Sequence, residues 1–352
     1  MMKIRGFIEG FYNRKPKKND YGFENSNITH YIYAPKEDSH IRQKWRLKDK
    51  SLEARSIPKN IAQVYTLSPG ADFNRKSKKD FNFLLSKFNF AIDKGFSEVG
   101  LLFDDIDINN IGIESDDKDL GKFHGELISE VTTKLGLSNG WFCPSIYCES
   151  FSKKGIQNDK YLEGVSETIN NDLFFLWTGP KVISDFISQD HLKELGQVIK
   201  NPVVIWDNFY ANDYCPSRLF LGPLKGRSLN KSIVGHFLNG TGLKETDKFI
   251  LNYLFNPKQK IPYLPKELKP IFSDPFKKLN EKELQRALNI NKKSIRFIFE
   301  NPLDEILLEW KPFLMSSLND IKLFHLESKK EVEGFLERRY SPLFVKGLTK
   351  KR

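Results

Sequence analysis

Eight short runs of apolar, β-branched and aromatic residues punctuate the first two-thirds of the chain: KIRGFIEGF (3–11), THYIYAPK (29–36), AQVYTLSP (62–69), EVGLLFDD (98–105), WFCPSIY (141–147), DLFFLWTG (172–179), PVVIWDN (202–208) and SIVGHFLNG (232–240). Their nearly continuous apolar character is what strands buried on both faces require. Between several of them the spacing turns helical. Phe81, Leu84, Leu85, Phe88 and Ile92 form one stripe, followed by Gly95 as a C′ residue, and Phe123, Leu127, Val131 and Leu135 form another. Strands alternating with helices predict an α/β fold, a (β/α)8 TIM-type barrel, although a doubly wound sheet would give a similar alternation.

Polar, Gly and Pro residues gather where each run stops: Glu9-Gly10, Pro35-Lys36, Ser68-Pro69-Gly70, Asp104-Asp105, Tyr147, Trp177-Thr178-Gly179 and Asp207-Asn208. In a barrel these C-terminal strand ends form the catalytic face, so topology would bring together residues far apart in sequence. Past about residue 260 the character changes. PKQKIPYLPKELKP reads as a linker, and LNEKELQRALN and PLDEILLEWKPFLMSSLNDIKLF are charged and helix-patterned. The expected organisation is a catalytic domain over 1–260 and a C-terminal, mainly helical extension over 261–352.

Composition narrows the class. An apolar fraction of 39% and 29 Phe residues supply a large core and exclude a disordered chain. Lys and Arg exceed Asp and Glu by eleven, 56 against 45, which attracts anionic partners or simply solvates the surface. The basic residues are scattered and the aromatics sit on buried-strand patterns, which argues against nucleic acid as a partner. Cys143, Cys148 and Cys215 show no paired spacing. No leader-like segment and no apolar run of about 18 residues is present, so the expectation is a soluble cytoplasmic protein.

Asp104-Asp105 follows the apolar Leu101-Leu102-Phe103, which would bury a strand and deliver two carboxylates at its end. Neighbouring carboxylates rarely ionise alike, and one can then serve as an acid near neutrality; the plainer alternative is a loop or a helix cap. Six scattered His residues carry no metal-ligand spacing, so no metal and no cofactor are expected, although a carboxylate-only site at Asp104, Asp105 and Asp107 stays open. GPLKGRS (222–228) lacks phosphate-loop spacing and reads as a turn. Tyr147, Trp177, Trp206 and Tyr210 could wall a sugar ring or belong to the core.

Taken with GFIEGFY (6–12), YIYAPKED (31–38), KWR (44–46), LSPGADF (67–73), LLFDDID (101–107), FCPSIYC (142–148), LWTGPKV (176–182), VIWDNFYANDY (204–214) and RLFLGPLKGRS (218–228), the chain resembles glycoside hydrolase family 84, the protein O-GlcNAcases and bacterial β-N-acetylglucosaminidases. The resemblance spans roughly residues 4 to 255. It implies a (β/α)8 barrel that removes β-linked N-acetylglucosamine with retention, the substrate's own acetamido group acting as nucleophile. Asp104 would orient that group and Asp105 would be the acid/base. Tyr147 would bond near the acetamido oxygen, and Cys143 would line the N-acyl pocket. Lys36 and the Gly10 backbone would hold hydroxyls, as would Asp213 and Asn239. Asn208 would contact the acetamido region, and Trp206 would wall the site. The implied partner is a β-GlcNAc-bearing glycan or glycoprotein; the alternative is a barrel that binds GlcNAc with little hydrolysis. Asn13-Arg14-Lys15-Pro16 departs from the family's Gly-x-Pro-Trp, predicting a curtailed first barrel helix, and Ile146 stands where some relatives are polar. The chain opening at strand one suggests that the N-terminal domain of secreted members is absent. Oligomeric state is not legible.

Overall fold

The computed structural model describes residues 4–12, 22–70, 72–104, 117–213, 219, 221, 224–228, 233–254 and 281–326. Two compact units are present: 1–209 with 225–240, and 210–224 with 241–352. The first holds eight strands: β1 (Ile4–Glu9), β2 (His30–Tyr33), β3 (Ala62–Leu67), β4 (Glu98–Leu102), β5 (Trp141–Cys143), β6 (Phe174–Trp177), β7 (Val203–Asp207) and β8 (Gly235–Asn239). All pair in parallel in chain order, and β1 also pairs with β8, Ile4 opposite Gly235 through Ile8 opposite Asn239. That last ladder closes the barrel and excludes the doubly wound alternative.

Each strand falls inside one of the apolar runs read from the sequence. The pleat sorts their side chains into two layers. Ile8, Ile32, Val64, Leu102, Cys143, Leu176, Val204, Trp206 and Phe237 cluster together inside the barrel. Tyr65, Leu67, Val99, Leu101, Phe142, Phe175 and Ile205 face outward and pack with the helices. The helices of this unit are α1 (Lys78–Asp93), α2 (Asp117–Leu135), α3 (Lys160–Thr168) and α4 (Gln189–Val198). Side-chain caps start three of them: Ser77 accepts from Asp80 N, Asp159 from Leu162 N and Ser188 from His191 N. Gly95 follows α1 with φ +99°, as its C′ position demands.

The barrel departs from one helix per strand. Between β1 and β2 the described residues hold a single 3-10 turn, Phe23–Asn25, while Asn13–Pro16 lie outside them. Between β2 and β3 the chain makes turns only. Two long-range contacts stand in for a helix there. The buried Lys87 of α1 donates to the carbonyls of His40 and Leu47, and Arg46 grips the Asp80 carboxylate with two bonds of 3.0 and 2.7 Å.

The second unit contains α5 (Lys244–Leu254), α6 (Glu281–Glu300) and α7 (Glu305–Leu326). The helices read near 281–326 are thus observed, whereas the linker-like 257–270 lies outside the described residues. Glu309 of α7 caps the start of α5, accepting from Glu245 N (3.1 Å), Thr246 N and Thr246 Oγ1 (both 2.7 Å), and Trp310 donates to that same hydroxyl (3.0 Å). A carboxylate there satisfies orphan amides and the helix dipole together. No helix among the described residues is long and apolar enough to cross a membrane.

Candidate active site

Parity along each strand decides which end-of-strand residues enter the barrel mouth. Ile8 points inward, so Gly10 does as well; Ala34 brings Lys36, Leu102 brings Asp104 and Val204 brings Trp206 and then Asn208. The structure joins several of these by direct contact. Lys36 Nζ donates to Asp104 Oδ2, and both side chains are buried, at 4% and 8% exposure. A buried carboxylate and ammonium offset part of each other's cost of exclusion from water. The same ammonium lies 5.7 Å from the Trp206 ring centre and 5.9 Å from that of Tyr12.

A second chain of contacts crosses from β1 to β8 and β7. Gly10 N donates to Asn239 Oδ1 (3.0 Å), and Asn239 Nδ2 donates to Asn208 Oδ1 (2.9 Å). Asn208 Oδ1 also accepts from Trp206 Nε1 (3.1 Å), while Asn208 Nδ2 donates to the Val182 carbonyl (2.8 Å). These bonds fix both amide orientations. Gly10 is required by space: a Cβ there would meet Trp206 Cζ2 at 2.5 Å and Asn239 Oδ1 at 3.1 Å.

Cys143 and Tyr147 belong to the same inner cluster. The Tyr147 loop is tied down from β6: Thr178 N donates to the Tyr147 carbonyl (2.9 Å) and Glu149 N to that of Gly179 (3.2 Å). Phe151 stands edge-on to the Tyr147 ring at 5.0 Å and is itself exposed. Of the remaining sequence-derived candidates, Asp105 and Asp107 lie outside the described residues, and Asp213 belongs to the second unit. Among the described residues no three His, Cys, Asp or Glu side chains gather as metal ligands.

Several strand-end residues turn away from the mouth. Glu9 faces outward, where its carboxylate takes bonds from Tyr31 and Arg55. Trp177 is core, its indole N–H donating to His191 Nε2 (2.9 Å). Asp207 also faces outward: burial pushes its carboxyl up, but the Arg227 charge and the bonds from Arg227 and His236 outweigh this and hold it below the usual carboxylate range. Behind Asp104, Phe103 stacks flat on His124 with ring centres 3.7 Å apart, and His124 Nδ1 shares a 2.8 Å bond with Tyr161, whose hydroxyl accepts from Ser145 N (3.0 Å). Arg55, Arg227, His236 and His124 were not legible as site neighbours, because pairs so distant in sequence leave no periodic signal.

The chain is similar to known proteins in sequence and in fold. Protein O-GlcNAcases of Rattus norvegicus and Mus musculus are each 35% identical to the chain over 240 residues, 63% of this chain and 26% of theirs. The chain therefore spans about a quarter of the length of these curated relatives. In fold it is similar to an O-GlcNAc hydrolase mutant of Thermobaculum terrenum (TM-score 0.67, 21% identity, covering 91% of this chain and 82% of that one) and to CpGH84B (TM-score 0.65, 19% identity, 99% and 74%). The beta-N-acetylglucosaminidase family model matches residues 5–259, the stretch that builds the barrel and its mouth, and the chain belongs to that family.

Proposed function

We propose that the barrel mouth is the active site of an exo-acting, retaining β-N-acetylglucosaminidase of O-GlcNAcase type, with residues 1–260 carrying the chemistry. The observation that supports this most is the convergence of Asp104, paired to Lys36, with the Gly10–Asn239–Asn208–Trp206 network on one inward-facing ring. In this reading Asp104 accepts the acetamido N–H and turns the acetamido oxygen toward the anomeric carbon. That oxygen forms a bond to the carbon as the glycosidic bond breaks, and Asp105 gives its proton to the departing oxygen. The product of this step is an oxazoline protonated on nitrogen, whose positive charge faces the Asp104 carboxylate. Asp105 then removes a proton from water, whose oxygen attacks the same carbon, reopens the ring and restores the acetamido group with the starting configuration. Two inversions give net retention.

The remaining residues bind. Lys36 supplies the counter-charge to Asp104 and reaches sugar hydroxyls; Asn208 and Asn239 each offer a second amide N–H; Trp206 walls the ring; Tyr147 and Cys143 enclose the acetamido end; and Asp213 takes the far hydroxyls. The substrate class is a β-GlcNAc-bearing glycan or glycoprotein.

The test is release of 4-methylumbelliferone from its β-GlcNAc conjugate, with proton NMR of the first-formed sugar. Hydrolysis with the β-anomer appearing first is expected, and Asp105→Asn should lower kcat by about 10²–10⁴-fold on an alkyl β-GlcNAc substrate, whose departing oxygen needs the proton, and by less on the methylumbelliferyl one. Binding of GlcNAc without turnover would instead identify a glycan-binding barrel. A second variant probes the mouth's geometry. Gly10→Ala should displace the Trp206 ring and lower kcat/KM by roughly 10²-fold, since small misplacements near the reacting atoms are costly. Unchanged kinetics in this variant would remove Gly10 from the sugar contact.

A further inference from the structure

We propose that Arg227, which lies outside the ring itself, is the positioning residue that sets the sugar subsite formed by Asn208 and Trp206. The inference rests on the β-GlcNAc reading of the mouth and deepens it. The Arg227 side chain is only 4% exposed, and its five N–H groups have five acceptors. Nε and one Nη2 proton bind the two oxygens of Asp207, both at 2.8 Å. The other Nη2 proton goes to the Ser184 carbonyl (2.9 Å), and Nη1 donates to the carbonyls of Asp185 (3.1 Å) and Lys225 (2.8 Å). The guanidinium also stacks over the Phe209 ring at 4.4 Å.

These contacts lie on both sides of one bond of the site. Asp207 sits between Trp206 and Asn208, and its carboxylate further accepts from Phe209 N (3.1 Å) and bonds His236 Nε2 (2.8 Å). With Asp207 held, the backbone on either side of it is held, and the side chains of Trp206 and Asn208 are aimed into the mouth by the strand's parity. Ser184 and Asp185 follow Val182, whose carbonyl accepts from Asn208. Ser184 Oγ closes that loop on itself by donating to the carbonyls of Thr178 (2.9 Å) and Lys181 (3.0 Å). Arg227 therefore clamps donor and acceptor of the Asn208–Val182 bond from one planar group. Lysine cannot do this, because a single ammonium lacks the fork that spans a carboxylate and three carbonyls together.

The role predicts a loss in binding more than in chemistry, since Asp104 and its partner Lys36 are anchored elsewhere. In turnover of the methylumbelliferyl substrate, Arg227→Lys should raise KM about tenfold or more, with kcat within roughly threefold of wild type. Arg227→Ala should show a larger rise in KM that low-millimolar guanidinium chloride partly reverses and the same concentration of sodium chloride does not. Far-UV circular dichroism shows whether Arg227→Ala is folded at the assay temperature; if it is not, Arg227→Lys decides. The proposal is overturned if both variants lose thermal stability while KM stays within twofold of wild type, or if kcat falls at unchanged KM. Absence of turnover in wild type counts against the β-GlcNAc reading, whereas wild-type turnover with unaffected variants counts against Arg227 alone.

Discussion

Asp104→Asn is expected to lose about 10²–10³-fold in kcat on an aryl β-GlcNAc substrate, the scale on which removal of one preorganised electrostatic group acts. It should also destabilise the barrel, and the two effects have separate causes. The catalytic loss follows from the missing negative charge against the acetamido N–H. The stability loss follows from Lys36, whose ammonium is 4% exposed and bonded to Asp104. Removing one partner of a buried pair weakens the compensation of the other charge, at a cost of up to about 3–5 kcal/mol. Lys36→Met in the Asp104→Asn background removes the ammonium as well. The double variant should regain most of the stability in urea denaturation and none of the activity. If Asp104→Asn kept normal turnover, the proposed mechanism would be wrong. If the double variant were no more stable than the single one, the ion pair would have no structural weight.

That coupling was invisible in the sequence, where Lys36 and Asp104 are only two polar residues at the ends of apolar runs. Much else could be read. Parallel barrel strands are covered on both faces, so each leaves an unbroken apolar run, and all eight contain a strand. β5 is trimmed from the seven-residue run 141–147 to Trp141–Cys143 because Pro144 has no N–H for the next ladder bond. Closure was not legible in the alternation alone, which fits a doubly wound sheet as well; the family resemblance implied the barrel, and the β1–β8 register shows it.

Within the site, Gly10, Lys36, Asp104 and Asn208 stood out because strand ends concentrate chemistry, whereas Asn239 and a sugar-facing Trp206 were implied only by the family resemblance. The facing of their neighbours could not be read from clustering alone. Glu9 beside Gly10 and Asp207 beside Asn208 carry strand-end carboxylates as Asp104 does, yet both turn outward to arginines. Strand parity separates the two sets, but applying it needs the register that buries Ile8 and Trp206. GPLKGRS read as a turn; that Arg227 reaches Asp207, twenty residues away, goes with the bridge that pairs Arg227 with Ile187, which leaves no signal in the sequence.

Acid should weaken the protein through His124, and a variant at this position should show by how much. The imidazole is enclosed by Phe103, Phe123 and Tyr161, and burial pushes it down to about 3 from an ordinary 6.5. Because the folded state holds the lower value, the unfolded chain binds the proton first. The contribution is therefore complete above about pH 6.5 and is lost as pH falls toward 3. Each unit of difference corresponds to about 1.4 kcal/mol, so this one group should remove roughly 3 kcal/mol of stability between pH 6.5 and pH 4. His30 and His191 are also lowered, burial being the largest cause for each, and they add slopes of the same sign. His124→Gln keeps an acceptor for the Tyr161 hydroxyl but cannot be protonated. Urea denaturation at pH 7 and pH 4 should give the variant less stability than wild type at pH 7, because the flat stack on Phe103 is lost. Its further loss on acidification should be smaller than that of wild type by about 3 kcal/mol. Equal losses in the two proteins would mean that His124 accepts a proton without unfolding, and that the packing behind Asp104 opens to water in acid.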